Sequence, residues 1–190
     1  MMGERYPFKR YPKIYRLQYV PEILNYPLEV YEKLDGANTQ IRKIKGVLLC
    51  GSRSGYLSDK NLDAKPWFRI FWEWVYTNPS LYKLPEDIIV YGEFLYPHTL
   101  RYYPQWTNQF FLIDVYDLEK ERFIPYQDAV KLIKKIGLEK IHIIPLLYKG
   151  YLTMDKINEL LKGSDYRDGD KEGIVLKNYE HQLFAKVRNI

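Results

Sequence analysis

The sequence predicts an α+β fold of mostly antiparallel sheets with helices on the outside. Two long segments, 88–96 and 109–118, alternate apolar and polar residues as antiparallel strands do. Three other segments, 64–76, 126–136 and 153–162, have the spacing of amphipathic helices. Several shorter strand-like runs surround them, so strands outnumber helices and the mixed class is favoured.

The first part of the chain predicts short strands followed by a helix. Residues 28–31, 39–43 and 47–50 are strand-like, and the turn Lys45-Gly46 joins the last two as a hairpin. The helix over 64–76 stops before Asn78-Pro79. It is apolar on two sides, which favours burial in the core, with a partner surface as the alternative.

The second part predicts two helices and three strands. The helix over 126–136 is ended by Gly137, and residues 141–148 form a strand. Thr153 is the expected N-cap of the helix over 153–162, which Gly163 follows. Residues 172–177 and 182–188 close the chain as a strand pair.

Composition narrows the class of protein. The chain has 190 residues, of which 46% are apolar and 16% aromatic, and such a content excludes disorder. Its length predicts a single domain over 1–190. No apolar run approaches the ~20 residues of a membrane span, no secretory signal is present, and Cys50 is the only cysteine. We therefore expect a soluble, cytoplasmic protein with no membrane partner.

Positive charge is concentrated near the amino terminus. The net charge is +5, and residues 1–20 contain five basic residues against Glu4 alone. A basic, tyrosine-rich segment suits a nucleic acid, because each phosphate contact releases counterions. A solvated basic face explains the same charge, so both interpretations stay open.

Charged and polar residues also stand within or next to predicted strands. They are Glu32, Lys33, Asp35 and Asn38, Arg53 in a glycine-bracketed turn, Glu93, Glu172, Lys177, Lys186 and Arg188. Taken singly, each has an ordinary structural explanation. Lys-x-Asp-Gly alone is expected in roughly one chain of this size in a few tens.

In their order along the chain, these segments resemble motifs I, Ia, III, IIIa, IV and V of the covalent nucleotidyltransferases. That superfamily contains the polynucleotide ligases and the mRNA capping enzymes. The matching segments are Lys33-Leu34-Asp35-Gly36, Ser52-Arg53, Gly92-Glu93, Phe111-Leu112-Ile113-Asp114, residues 172–177 and Lys186-Val187-Arg188. Asn38 and residues 8–11 make the chain most similar to the RNA ligase 2 family of phage type.

The resemblance implies the ligase adenylation fold around an ATP cleft and an ATP-dependent RNA ligase. Lys33 would attack the α-phosphate of ATP and form a lysyl-adenylate. AMP would pass to the 5′-phosphate of a nicked or single-stranded RNA end, and a 3′-hydroxyl would then seal the break.

The nucleophile needs help to react. A free lysine, with a pKa of ~10.4, is only about 1 part in 2,500 unprotonated at neutral pH. It must therefore be desolvated or lie beside positive charge. The resemblance implies that hydrated Mg²⁺ (or Mn²⁺) supplies that charge, with its waters held by Asp35, Glu93 and Glu172, as suits a cation that keeps its waters.

The same resemblance implies a nucleotide-binding set. Lys186 would contact the α-phosphate, Arg53 the ribose and the incoming RNA phosphate, and Glu93 and Asn38 the ribose hydroxyls. The remaining members are matched by position, and they are Glu32, Lys177 and Arg188.

Two positions depart from the family pattern or leave a choice. Ile113 stands where the family usually has an aromatic residue, so adenine would rest on Ile113 or on Phe111, two residues back in the same strand. Tyr11 would touch RNA or pack the amino-terminal arm down. Arg101, in the basic and aromatic loop 97–108, is a further expected RNA contact.

The end of the chain leaves further alternatives. Ligases carry another domain after motif V, whereas this chain ends at Ile190, so we expect that domain to be absent or supplied by a separate partner. The alternatives to an RNA ligase are a small DNA ligase, a capping-type nucleotidyltransferase, or a non-sealing module that binds adenylate or nucleic acid. The oligomeric state stays open.

Overall fold

The protein is described from a computed structural model, which covers residues 5–189. Within these residues the strands are β1 (Tyr15–Arg16), β2 (Leu28–Lys33), β3 (Ala37–Ile44), β4 (Val47–Ser52), β5 (Ile88–Phe94), β6 (Phe110–Asp117), β7 (Arg122–Phe123), β8 (Ile141–His142), β9 (Leu146–Gly150), β10 (Gly173–Asn178) and β11 (Leu183–Arg188). The α-helices are α1 (Pro66–Tyr76), α2 (Tyr126–Ile136) and α3 (Met154–Leu160). Short 3₁₀ turns connect several of these elements.

The strands form two sheets, and most neighbours are antiparallel. The first sheet has the order β1-β11-β10-β2-β9, with β1 parallel to β11. The second has the order β4-β3-β5-β6-β7, with β8 parallel to β6. The predicted α+β class with antiparallel sheets is therefore confirmed, as is the hairpin at Lys45-Gly46 between β3 and β4.

Two apolar clusters support the sheets. The larger one packs the second sheet against α1 and α2 and contains Phe71, Val90 and Ile133. The smaller one packs the first sheet against α3 through Leu176 and Ile157. The α1 helix lies in the larger cluster with both of its apolar sides at least partly covered, which confirms the interpretation as a core helix.

Two predicted boundaries need correction. The first helix begins at Pro66 and not at residue 64, because the residue before a proline is driven to extended backbone, and Lys65 is extended. The single strand predicted over 141–148 is two strands in different sheets, since β8 pairs with β6 and β9 pairs with β2. Pro145 has no amide hydrogen for a ladder, and the Ile144 amide donates to the Tyr126 hydroxyl at 3.0 Å.

Candidate active site

A cavity of about 570 Å³ is lined by residues of both sheets, from β2 and β10 of the first and from β3, β5 and β6 of the second. One part of its wall is apolar and aromatic, formed by Tyr31, Leu112, Ile113, Tyr126, Ile144 and Val175. Another part carries charged and polar groups, among them Lys33, Asn38, Arg53, Glu93 and Lys186. A cavity with both kinds of wall suits a ligand that is part aromatic and part anionic.

Lys33 ends β2 and faces a buried carboxylate at the start of β10. The register pairs Lys33 with Gly173, which brings Lys33 Nζ to 3.2 Å from Oε2 of Glu172. Arg188 Nε, on β11, donates to Oε1 of the same carboxylate at 3.0 Å. Glu172 is only 1% exposed, so two cations share one desolvated anion.

Close backbone approach requires glycine at two places beside this ion pair. A Cβ at Gly173 would collide with the Val187 carbonyl oxygen of β11, and a Cβ at Gly36 would collide with the Phe94 carbonyl oxygen of β5. Each motif glycine therefore lets a strand bearing a charged residue lie directly against its neighbour.

Glu93 lies on β5 with its carboxylate toward the same part of the cavity. Its Oε2 accepts the Gly36 amide hydrogen at 2.9 Å. Burial raises the pKa of Glu93 to about 7, although Lys33, the Gly36 amide and Arg53 oppose that shift. A cation that enters the cavity would therefore stabilise the ionised form of this carboxyl group.

Glu32 is a second buried carboxyl of the cavity wall. It is 4% exposed and accepts the Ser164 hydroxyl hydrogen at 2.6 Å. Burial raises its pKa to about 7, while Ser164 and Lys171 act in the opposite direction. Ser164 lies in the segment between α3 and β10, and no sequence motif points to it.

Asp35 lines the cavity and also anchors the loop after β5. Its Oδ2 accepts the amide hydrogens of Thr99 and Leu100, both at 2.8 Å, and its Oδ1 lies 3.2 Å from His98 Nδ1. The Asp35 amide also donates to the Tyr102 hydroxyl at 2.7 Å. The expected metal role of Asp35 stays a prediction, and the structure adds its role as a loop anchor.

Lys177 lines the cavity and is held there by a buried polar network. It is 3% exposed and donates to the Ile113 carbonyl at 2.8 Å and to Oδ2 of Asp114 at 3.2 Å. Tyr11 and Tyr179 donate their hydroxyl hydrogens to the same carboxylate, both at 2.5 Å. Burial lowers the pKa of Lys177 and Asp114 opposes the shift.

The structure bears on two aromatic residues for which alternatives were open. Tyr11 is 4% exposed and bonded to Asp114, which favours its role in packing the amino-terminal arm down, although it also lines the cavity. Phe111 is fully buried against Trp106 and Tyr166 and does not line the cavity. A bulge in β6 explains the position of Phe111.

That bulge changes which residues face the cavity. Opposite β5, Tyr91 pairs with Asp114 whereas Gly92 pairs with Leu112, so Ile113 is the extra residue. An extra residue breaks the alternation of faces along a strand. Ile113 and Leu112 therefore both line the cavity, whereas Phe111 does not.

The remaining predicted residues are brought together only in part. Asn38, Arg53 and Lys186 line the cavity beside Lys33, and Arg53 is exposed. Arg188 reaches the site through Glu172. Arg101 is exposed outside the cavity lining, and its expected RNA contact stays a prediction.

Sequence reasoning missed several wall residues. Tyr31 lies two positions before Lys33 in β2, so strand alternation alone could have placed it in the cavity. Tyr126 and Ile144 have no such signal. They reach the wall because the Tyr126 hydroxyl donates to the Leu112 carbonyl at 2.8 Å and accepts from the Ile144 amide.

Two absences hold for the described part of the chain. Within residues 5–189, no group of three or more His, Cys, Asp or Glu side chains is arranged to hold a metal ion directly. In the same residues, no helix has both the length and the apolar character needed to cross a membrane.

Two sheets thus enclose a cleft in which a lysine at the end of β2 faces a carboxylate that immediately precedes β10, and this arrangement is that expected of a nucleotidyltransferase domain. The more specific assignment comes from a family model described as RNA ligase, which matches residues 27–188. The chain belongs to the RNA ligase family.

Solved structures show the same fold. A mutant RNA ligase R4a of Naegleria gruberi in its apo form has a TM-score of 0.73 at 20% identity, over 96% of this chain and 57% of that one. A mutant Naegleria gruberi RNA ligase with ATP and Mn has a TM-score of 0.67 at 18% identity, over 96% and 56%. This chain thus spans little more than half of these relatives. A search of curated proteins found no match.

Proposed function

We propose that this chain is the adenylyltransferase unit of an ATP-dependent RNA ligase, with Lys33 as the nucleophile. The observation that carries the proposal is the position of Lys33, which opens into the cavity while paired with buried Glu172. The apolar wall offers a surface for a purine, and Arg53 and Lys186 offer positive charge for phosphates. Membership of the RNA ligase family and likeness to a ligase solved with ATP and Mn support the same conclusion.

In the proposed first step, the Lys33 nitrogen uses its lone pair to form a bond to the α-phosphorus of ATP. The bond from that phosphorus to the bridging oxygen breaks, and pyrophosphate leaves with the electron pair. An ammonium has no free lone pair, so Lys33 must first lose a proton before it can attack. Lys186 and Arg53 would stabilise the charge that develops on the phosphate oxygens.

A divalent cation fits the carboxylates of this site. Glu172 Oε2 is buried and, apart from the ion pair with Lys33, has no hydrogen-bond donor. Glu93 Oε2 accepts one amide hydrogen, and no partner is found for its other oxygen. We propose that these two carboxylates hold a hydrated Mg²⁺ or Mn²⁺ through its waters. When bound, such a cation neutralises carboxylate and phosphate charge and favours the uncharged amine.

The apolar wall is the proposed adenine site. Ile113 and Leu112 would cover one face of the base, and Tyr126 lies beside them through its bond to the Leu112 carbonyl. Glu32 is proposed to face the polar edge of the nucleotide, and Asn38 and Glu93 to bond the ribose hydroxyls. Lys177 is proposed to stabilise this wall, because its amine donates to the Ile113 carbonyl and to the Asp114 carboxylate.

In the later proposed steps, AMP leaves the enzyme on RNA. An oxygen of the RNA 5′-phosphate attacks the AMP phosphorus, the bond to Lys33 breaks, and the lysine nitrogen recovers a proton. A 3′-hydroxyl then attacks the activated 5′-phosphorus, and AMP departs with the bridging oxygen. Arg53 is exposed at the cavity and is the proposed contact for the incoming RNA phosphate.

Labelling the protein with ATP tests the nucleophile. The purified chain is incubated with Mg²⁺ or Mn²⁺ and ATP labelled at the α-phosphate, denatured, and examined for retained label. We expect retained label in the wild type and in Lys60→Ala, a variant of an exposed lysine elsewhere. We expect none in Lys33→Arg, which keeps the charge opposite Glu172 but supplies no amine nucleophile. Label in Lys33→Arg, or no label in the wild type, contradicts the proposal.

Sealing assays separate RNA ligase from the other candidates. A nicked duplex is presented with RNA or with DNA on the 3′-hydroxyl side, and we expect joining with RNA. Preference for the DNA substrate would instead indicate a DNA ligase. Retained label without joining of either substrate would indicate a module that is adenylylated but does not seal by itself.

A further inference from the structure

A second cavity adjoins the first at its basic wall. It has a volume of about 650 Å³ and is lined by the 13–16 segment, Tyr19, Val20 and Lys186. Lys13, Ile14 and Lys186 line both cavities, so the two are continuous. The second cavity therefore begins where the proposed phosphate site ends.

The second cavity is positively charged and carries exposed aromatic rings. Its charged groups are Lys13, Arg16 and Lys186, and no described residue of its lining is acidic. Tyr15 is 50% exposed and Tyr19 is 68% exposed. Basic and aromatic side chains side by side are the combination that binds a nucleic-acid strand, through phosphate contacts and base stacking.

The positive charge of this region is not balanced by neighbouring acids. Burial lowers the pKa of Lys186, the nearby charges of Lys33, Arg188 and Arg16 lower it further, and Glu172 acts in the opposite direction. Glu172 is already shared by Lys33 and Arg188. An anion bound beside Lys186 would therefore relieve repulsion between fixed cations.

The segment that carries the tyrosines is held in place. Tyr15 and Arg16 form β1, which pairs with Ala185 and Lys186 of β11 at the edge of the first sheet. Leu17 is buried in the smaller apolar cluster and anchors the turn that follows. The backbone that carries the exposed rings is thus fixed relative to Lys186, so RNA binding would not have to order this segment first.

We propose that Lys13, Tyr15, Arg16 and Tyr19, with Lys186, form a binding site for a single-stranded stretch of the RNA substrate. Phosphates lie against Lys13 and Arg16, and bases stack on Tyr15 and Tyr19. We call this site the tyrosine platform. It rests on the proposed function and deepens it, because the platform leads a strand toward the cavity that holds Lys33.

RNA binding by tyrosine variants tests the platform. A fluorescent, 5′-phosphorylated single-stranded RNA is titrated with the wild-type chain and with Tyr15→Ala/Tyr19→Ala, and Kd is read from anisotropy. From the cost of removing a base-stacking ring by alanine substitution, we expect the affinity for RNA to fall about five- to a hundredfold for each ring that stacks. The matched control is Tyr82→Ala/Tyr151→Ala, because those tyrosines are 49% and 64% exposed elsewhere. The control is expected to bind like the wild type.

Salt dependence tests the basic groups. A plot of log K for RNA binding against log salt has a negative slope, and each lost contact with a single-strand phosphate makes that slope less steep by about 0.7. Lys13→Ala/Arg16→Ala is therefore expected to make it less steep by about 1.4. Lys134→Ala/Lys135→Ala, on exposed residues of α2, is the charge-matched control and is expected to leave the slope unchanged.

The two proposals fail in different ways. Retention of label from ATP by Tyr15→Ala/Tyr19→Ala is expected to equal that of the wild type, since neither ring lines the cavity of Lys33. Absence of label in the wild type contradicts the proposed function, whereas binding is measured without ATP. The tyrosine platform is overturned if its tyrosine variant binds RNA like the wild type, or if the Tyr82→Ala/Tyr151→Ala control loses as much affinity. It is also overturned if the loss appears only with duplex RNA.

Discussion

The buried pair of Asp114 and Lys177 predicts an unusual pattern of stability. Asp114 is fully buried and accepts bonds from Lys177, Tyr11 and Tyr179. In Asp114→Asn the shape is kept, but the Lys177 ammonium loses its counter-charge inside the protein. Breaking a buried pair on one side costs about 3–5 kcal/mol. We therefore expect the free energy of unfolding to fall by that amount.

Removing the second charge should restore stability. In Asp114→Asn/Lys177→Met no charge is left buried, and a flexible apolar side chain of similar length replaces the lysine among the rings of Tyr31, Tyr126 and Tyr179. Exchange of a buried ion pair for neutral groups is often neutral or stabilising. The remaining costs are the weaker bonds to the two tyrosine hydroxyls and the lost bond to the Ile113 carbonyl, about 1 kcal/mol each. The double variant should therefore be more stable than Asp114→Asn.

Urea denaturation and thermal melting measure the difference. For a domain of this size, 3–5 kcal/mol corresponds to a decrease in Tm of about 6–20 °C. We expect that decrease in Asp114→Asn and recovery of more than half of it in the double variant. A double variant that is no more stable than Asp114→Asn would refute the reasoning, because the stranded charge would then not be the main cost.

Three further predictions concern the cavity wall and its loop. Burial raises the pKa of Glu93 to about 7, so between pH 5 and 7 the folded state keeps a proton that the unfolded chain has already lost. The free energy of unfolding should therefore decrease as pH rises from 5 to 8. Measurements of Tm against pH should show a smaller decrease in Glu93→Gln than in the wild type. Asp35→Ala removes the acceptor of the Thr99 amide, so hydrogen exchange there should speed up by about 5- to 150-fold, and unchanged exchange would contradict the anchoring role. Gly36→Ala should cost about 1–3 kcal/mol in urea denaturation, since its Cβ would meet the next strand, whereas Gly55→Ala, which has no atom within 4 Å, should stay near wild type.

Alternation of apolar residues was sufficient to place most of the strands. It predicted the α+β class. It could not predict the bulge at Ile113, because a bulge is defined by the partner strand and not by the strand that contains it. For this reason the sequence could not choose between Ile113 and Phe111.

The sequence could not predict the hydrogen-bond network of Asp114 either, for a different reason. Its donors Tyr11, Lys177 and Tyr179 are separated from it by 103, 63 and 65 residues. A buried polar group must find partners, but the sequence does not say which ones. In the same way, the motif that contains Asp35 gives no sign that its oxygens also hold the loop from His98 to Leu100.

The chemistry of the site depends on strand register more than on any single side chain. Lys33 and Glu172 are 139 residues apart and meet because β2 and β10 pair continuously from Glu29 with Lys177 to Lys33 with Gly173. A slip of one residue would turn each side chain of β10 to the opposite face. Glu172 would then leave Lys33, and Lys177 would leave Asp114. One register therefore sets both the ion pair between Lys33 and Glu172 and the bond between Lys177 and Asp114 at the cavity, so the cavity and the first sheet should form together in folding.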